Sequence, residues 1–422
     1  MNQEMLAGFG RGTICFPQEM FPTEGFCAVH DEPHVRLMVL KTPQDAFALM
    51  VLELVICPPD MLRAWRERIG EAFALPAEKV WVHVNHTITT PHEPGPKGLP
   101  DKRPAPTEAD LRRKALYREA VETAVEQAIC SAREDLSAAT LGWGAGECRI
   151  NGNRDVETPY GWWVGPAGDG LSNHRFYILR LNRTDGSPKG LVLFYGIKPC
   201  AADNSGMQND TRLVSSDVTG AACRALEERF GVPAMFCMTA AGDQVPVRQS
   251  LLDTVSETGE VFQRDEGAER GLVYAAKLGK ELADSVEAVV RIVECSAPAG
   301  ETRWAHVSFP WDKRRSGRRQ LCRTLTHEWD GQAEVTAELF CLDDTAFVAV
   351  RPEVNAATEK ELAENSSFAR TILISMVNGD SKYMPEQSAF DRATWEAQSS
   401  MFMPGAAEKL TEAVCETLKN MR

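Results

Sequence analysis

Short apolar stretches alternate with segments of helical periodicity, a pattern that predicts α/β layering with helices covering mostly buried strands. His34 to Leu40 and Ala46 to Ile56 read as strands. The second runs into a helix from Pro59 to about Ala74, where Leu62, Trp65, Ile69 and Phe73 recur at spacings of 3 and 4 and Leu75-Pro76 forces a stop. A strand from Lys79 to His86 follows. Pro, Gly and Lys crowd residues 91–106, which predicts an exposed loop, and residues 87–106 as a whole read as a candidate flap. Thr107-Glu-Ala-Asp110 has capping-box chemistry and opens a helix from Leu111 to about Leu136.

Further along, Leu141 to Asn173, rich in Trp, Gly and Asn, reads as structured loop. Phe176 to Leu181 and Gly190 to Ile197 flank Asp185-Gly-Ser-Pro188 and predict a hairpin. A helix from Asp217 to Phe230, ended by Gly231, and a strand from Pro233 to Thr239 complete a strand, helix, strand unit. A helix from Gly267 to Leu282, strands within residues 286–310 and 332–350, and a helix from Ala406 to Lys419 follow. No repeat or linker-like break divides the chain, so residues 1–422 are expected to form one large domain of mixed sheets layered with helices.

Composition narrows the partners. With 46 Lys+Arg against 60 Asp+Glu the net charge is −14, which argues against nucleic acid. The 43% hydrophobic and 25% charged content is that of a globular protein and excludes disorder, collagen and coiled coil. The longest apolar run, Ala46 to Cys57, contains Glu53 and falls short of the ~20 residues that cross a bilayer. No basic, then apolar leader opens the sequence, so a cytoplasmic protein without membrane insertion, acting on a small molecule and open to self-association, is expected. The twelve cysteines form no C-x-x-C pair and read as reduced, mostly buried thiols.

Six segments, in order, resemble the neutral/alkaline non-lysosomal ceramidase family in its short bacterial form, without the C-terminal β-domain of the secreted enzymes. They are GFCAVHDEPHVRLMVL with FALMVLELV, KVWVHVNHTITTPHEPG, Asn153-Arg154, Ser216-Asp-Val-Thr-Gly220 with CRALEERFGVPAMFCMTAAGDQVP, MVNGDSKYMP, and WEAQSSMFMPGAAEKL. The resemblance implies an amidase fold whose metal-bound water or metal-assisted serine attacks an amide carbonyl. Zinc there needs imidazole or carboxylate ligands at about 2 Å and one open position.

On this resemblance His86 takes the place of the first zinc histidine, and His30, Arg154, Lys198 and Asp243 are the candidate catalytic residues. Five positions depart from the pattern. The second His of the zinc pair is Ile88, and the later zinc His is Lys198, whose ammonium has no lone pair to give. The ligand Glu falls on Thr345, the Tyr of Asn-Gly-Tyr on Asp380, and the serine of Gly-Asp-x-Ser-Pro on Val245. Two readings stay open: a remodelled zinc site drawing on His86 with His83, His92, Asp344 or Asp380, or a metal-free site in which the Lys198 cation stands where the metal would.

Other features have plainer readings beside the functional ones. His83 alternates with valines on a strand, Asp217 suits a helix N-cap, and Asp243 suits a turn. The basic run Lys313 to Arg319 reads as an exposed turn, with binding of an anionic substrate or a partner subunit the minority reading, and Trp162-Trp163 as packing over a core edge rather than lining a pocket. The expected function is hydrolysis of an amide bond in a small polar or acyl-amide substrate; the alternative is a non-catalytic ligand-binding or scaffold protein on the same fold.

Overall fold

The computed structural model describes residues 4–95, 104–165, 169–203, 211–298, 300–317, 319–379 and 381–422. Its centre is an eight-stranded sheet in the order Ala234–Met238, Pro188–Tyr195, Arg175–Arg183, Ser137–Glu147, Leu6–Thr13, His34–Lys41, Ala46–Leu52, Val80–Val84. The interior pairings are antiparallel. At each end a strand, helix, strand unit adds a parallel edge: α1 (Pro59–Phe73) carries the chain from Ala46–Leu52 to Val80–Val84, and the helix Asp217–Phe230 lies between Pro188–Tyr195 and Ala234–Met238.

Residues alternate across this sheet. Leu37 and Val39 face one side, where α1 and α2 (Glu108–Asp135) cover one half, while α3 (Asp217–Phe230) and α4 (Ala268–Val290) cover the other. Met38 and Leu40 face the opposite side and pack, with Phe47, Trp81 and Phe194, against Phe340, Phe347 and Ile372 of a second sheet. That sheet orders Thr302–Arg314, Trp329–Leu342, Thr345–Val350 and Arg370–Ile374, and its far face is covered by α5 (Ala356–Asn365) and the C-terminal helix Ala406–Asn420. The result is four layers, helix, sheet, sheet, helix, with an apolar interior between the two sheets.

Two strands escape the sequence pattern for one reason. In Leu6–Thr13 the positions facing α2 are Gly8, Gly10 and Gly12, and a Cβ on Gly10 would stand 1.8 Å from the Ala128 carbonyl oxygen. Helix and strand therefore touch backbone to backbone, and small residues replace the apolar alternation that betrays a strand. The stretch read as loop from Leu141 repeats the device: Ser137–Glu147 is a central strand whose Gly142, Gly144 and Gly146 crowd Val289 and Val293. The remaining part of that stretch forms short strands, Asn151–Asn153, Asp155–Thr158 and Gly161–Val164.

Other boundaries also move. The helix expected to end at Leu282 runs to Val290, because Ala283, Val286 and Val290 continue its buried stripe, so strand begins only at Thr302. The candidate flap is not a flap over its first part: Thr87, Thr89 and Thr90 are buried and bonded into the wall, while residues 96–103 lie outside those described. The basic run is not simply solvated either, since Arg314 is buried and its guanidinium donates to the carbonyls of Ala397 and Ser400. All twelve cysteines are free thiols. No helix among the described residues is long and apolar enough to cross a membrane.

Candidate active site

Both sheets end at one cavity. At the end of Val80–Val84, Asn85 N–H donates to the Leu52 carbonyl (3.1 Å) and Thr87 N–H to that of Leu54 (3.0 Å), so the chain keeps its register on either side of His86. His86 itself sits at φ 56°, a left-handed conformation that costs a residue with a Cβ of order 1 kcal/mol and rotates its imidazole out of the ladder. Beyond Pro188–Tyr195, Lys198 N–H donates to the Gln244 carbonyl (3.1 Å), and the carboxylate of Asp217 accepts from the N–H groups of Ala201 and Ala202. Asp217 also accepts the Val218 N–H (2.7 Å) at the start of its own helix, so it clamps the turn that follows Lys198 onto that helix start.

His86 and Lys198 meet on one carboxylate, that of Glu353. His86 Nδ1 is 2.9 Å from Glu353 Oε2, and Lys198 Nζ is 3.2 Å from Oε1 while donating to the Tyr383 hydroxyl at 2.8 Å. Glu353 is buried, which alone would raise its pKa, but His86, Lys198 and Arg154 hold it down to about 2. An ionised Glu353 can only accept, so His86 Nδ1 carries a proton, and in the neutral ring it is Nε2 that holds the lone pair. The His86 side chain is 19% exposed and lines the cavity. Burial and Arg154 pull the Lys198 ammonium toward losing its proton; Glu353 and Tyr383 outweigh them, so its pKa lies above the ordinary lysine value.

A second pair stands behind the first. Arg154 follows the short strand Asn151–Asn153, which pairs antiparallel with Gln244–Pro246. Its guanidinium donates through Nε to Glu396 Oε1 (2.7 Å) and lies over the Tyr383 ring, 5.6 Å from its centroid. Glu396 comes from the short helix Trp395–Ser399 and is fully buried. The cavity has two lobes, of about 580 and 400 Å³, which share Val55, His86, His92, Arg319 and Tyr383 in their walls.

The residues expected from sequence divide accordingly. His86, Lys198 and Arg154 line the larger lobe, and His92 stands at the rim with Nδ1 3.0 Å from Glu24. His30 does not come to it: it is exposed, just past the short strand Phe26–Val29. Asp243 lies in the wall without lining the cavity, its oxygens taken by Ala356 N–H (3.0 Å) at the start of α5 and by Asn153 Nδ2 (2.8 Å), and burial raises it to about 7. His83 is also withdrawn: its Nε2 accepts the Met238 N–H (3.0 Å), and burial lowers it to about 4, a neutral imidazole tying the two sheet edges together.

Asp344 is displaced because it precedes Thr345–Val350, whereas the cavity lies past the other end of that strand, roughly 20 Å away at about 3.3 Å per residue. Thr345, where the resemblance put the acidic ligand, is buried at that far end and accepts from Arg370. Asp380 lies outside the described residues. The carboxylate missed from sequence is Glu353, and its signal was Arg351-Pro-Glu353 just after an apolar strand. Tyr383 and Glu396 were missed too, although both sit inside the segments KYMP and WEAQSS that carry the resemblance.

Zinc does not fit this arrangement. His86 and Glu353 are in direct contact, the Lys198 ammonium lies against the same carboxylate, and Ile88 offers no donor. Among the described residues no group of three or more His, Cys, Asp or Glu side chains is gathered closely enough to hold a metal ion.

No protein-family model matches the sequence, and no curated protein does. Solved structures do match. The crystal structure of neutral ceramidase from Pseudomonas aeruginosa aligns with a TM-score of 0.71 at 13% identity over 100% of this chain and 75% of that one. A ceramidase complexed with C2 aligns with a TM-score of 0.68 at 12% identity, over 97% of this chain and 74% of that one. The chain therefore has the mixed α/β fold of the neutral ceramidases.

Proposed function

Taking that fold as the premise, we propose that this protein is a metal-independent hydrolase of an amide bond in a small acyl-amide substrate. The observation that carries the reading is the convergence of His86 and Lys198 on Glu353 at the cavity wall. With His86 neutral, Nε2 takes a proton from water as the oxygen attacks the amide carbonyl, and Glu353 stabilises the imidazolium that forms. The Lys198 ammonium and Tyr383 hydroxyl face the developing oxyanion, supplying the fixed positive charge that a metal supplies elsewhere. Collapse breaks the C–N bond, and the His86 Nε2 proton goes to the leaving amine, giving a free acid and an amine. Water is the nucleophile because the position of the family's serine is Val245, an aliphatic side chain in the cavity wall.

The alternative, a non-catalytic ligand-binding protein, is favoured by that same valine and by the pairing of Lys198 and Arg154 with buried carboxylates. Amine release from a panel of N-acyl compounds, in excess chelator, separates the two. The hydrolase reading expects turnover unaffected by chelator and lowered about 10²–10⁴-fold in His86→Gln. Absence of turnover across the panel, or turnover indifferent to His86→Gln, favours the binding protein.

A further inference from the structure

We propose that Arg319 is an anion seat in this cavity, and that the substrate is an amide that also bears a carboxylate, of the N-acyl amino acid class; the substrate class rests on the hydrolase reading above. The cavity cations differ in what they face, and Lys382, in the wall of the smaller lobe, is engaged as well. Lys198 is paired with Glu353 and Arg154 with Glu396. Arg319 lines both lobes and has no carboxylate within ion-pair distance among the described residues.

Neighbouring acids are otherwise engaged. Asp253, in the same wall, accepts from Trp163 Nε1 (3.1 Å) and from Gln263 Nε2 (2.9 Å), one on each oxygen. Asp203 is 3.5 Å from the Arg212 guanidinium. Among the described residues no acid is hydrogen-bonded to Arg319, although the Asp253 charge acts on it through space, so its donors are open at the junction of the two lobes.

That charge is also held in place. The Arg319 guanidinium lies over the Trp395 ring, 3.9 Å from its centroid, and Trp395 is braced edge-on by Trp163 at 5.3 Å. Stacking fixes the guanidinium plane and leaves its edge free, where its donors suit a carboxylate in bidentate contact. Valence favours a carboxylate over a phosphate. One guanidinium, already within reach of the Asp253 charge, suits a single carboxylate, whereas a dianion would add further negative charge to a wall that holds Asp203 and Asp253. The combined size of the two lobes suits a ligand with an acyl group in one and an acidic part in the other.

Calorimetric binding of N-acetyl amino acids against their carboxamides, across apolar and polar side chains, tests the seat without requiring turnover. The expected result is that the best acid binds about tenfold or more tightly than its own amide, a gap of about 1.4 kcal/mol. The preference disappears in Arg319→Gln and partly survives in Arg319→Lys. Arg319 is exposed, so neither variant disturbs the core. Equal binding of acids and amides by the wild type, an unchanged preference in Arg319→Gln, or displacement of the acid by equimolar inorganic phosphate overturns the proposal. Acid preference without hydrolysis keeps the seat and removes the hydrolase reading; hydrolysis of neutral amides without acid preference does the reverse.

Discussion

Two buried ion clusters in this molecule share almost the same parts and differ in one respect. Near the edge of the large sheet, Arg36 pairs with Glu53 and reaches Glu227 (3.3 Å), while Glu53 also lies 3.4 Å from His34 Nδ1. At the cavity, Lys198 and His86 share Glu353. In both, a carboxylate that burial would raise is held down to about 2 by a cation and a histidine. In the first cluster His34, Arg36 and Glu53 are all buried, and none of them lines either lobe of the cavity. In the second the histidine is turned out by a left-handed backbone so that its free nitrogen faces the cavity. The same electrostatics serves as a fastener in one place and, on the proposed hydrolase reading, as chemistry in the other, with exposure of the histidine ring making the difference.

The largest effect that separates them is on stability. Arg36→Met leaves Glu53 buried without its guanidinium and is expected to lower unfolding free energy by about 3–5 kcal/mol, measured by urea denaturation, with ligand binding per folded molecule unchanged. If the variant were as stable as wild type, the cluster would not be a fastener.

Lys198→Met is the matching change at the cavity. Glu353 keeps His86 and can draw solvent from the cavity, so the stability loss is about 1–3 kcal/mol, but turnover should fall about 10²–10³-fold with the oxyanion's cation gone. A stability loss as large as that of Arg36→Met with turnover intact would erase the distinction.

Acid titration treats the two clusters alike and so checks their common part. Glu53 and Glu353 have folded values near 2, below the unfolded value, so their contribution is present above about pH 4.5 and is lost as pH falls toward 2. Asp243 and Glu359 are raised by burial to about 7 and hold protons that the unfolded chain has released, so stability also declines as pH rises from about 4.5 to 7. Urea midpoints should therefore peak near pH 4.5 to 5. Glu53→Gln and Glu353→Gln should each flatten the acid side only; a flattened alkaline side in either would contradict the assignment.

The fold was legible wherever apolar residues alternated or recurred at helical spacing. It failed at Leu6–Thr13 and Ser137–Glu147, where glycines take the helix-facing positions and leave no pattern to read. Of the site, the strand-end positions His86 and Lys198 were readable because each closes a clear strand. Glu353 was not, because it joins His86 from 267 residues away on a loop with no periodicity. Asp243 misled for a physical reason: an aspartate in a Gly-containing turn at a strand end has the same local signature whether it caps a helix, as here, or lines a cavity.

The central proposal, that a lysine ammonium stands at the position where the sequence resemblance would put a metal, is tested most directly by calorimetric zinc titration of the chelator-treated protein beside His86→Ala. The account predicts that neither takes up zinc at a tight stoichiometric site and that the two titrations coincide. One tightly held zinc per chain in the wild type, absent from His86→Ala, would contradict it.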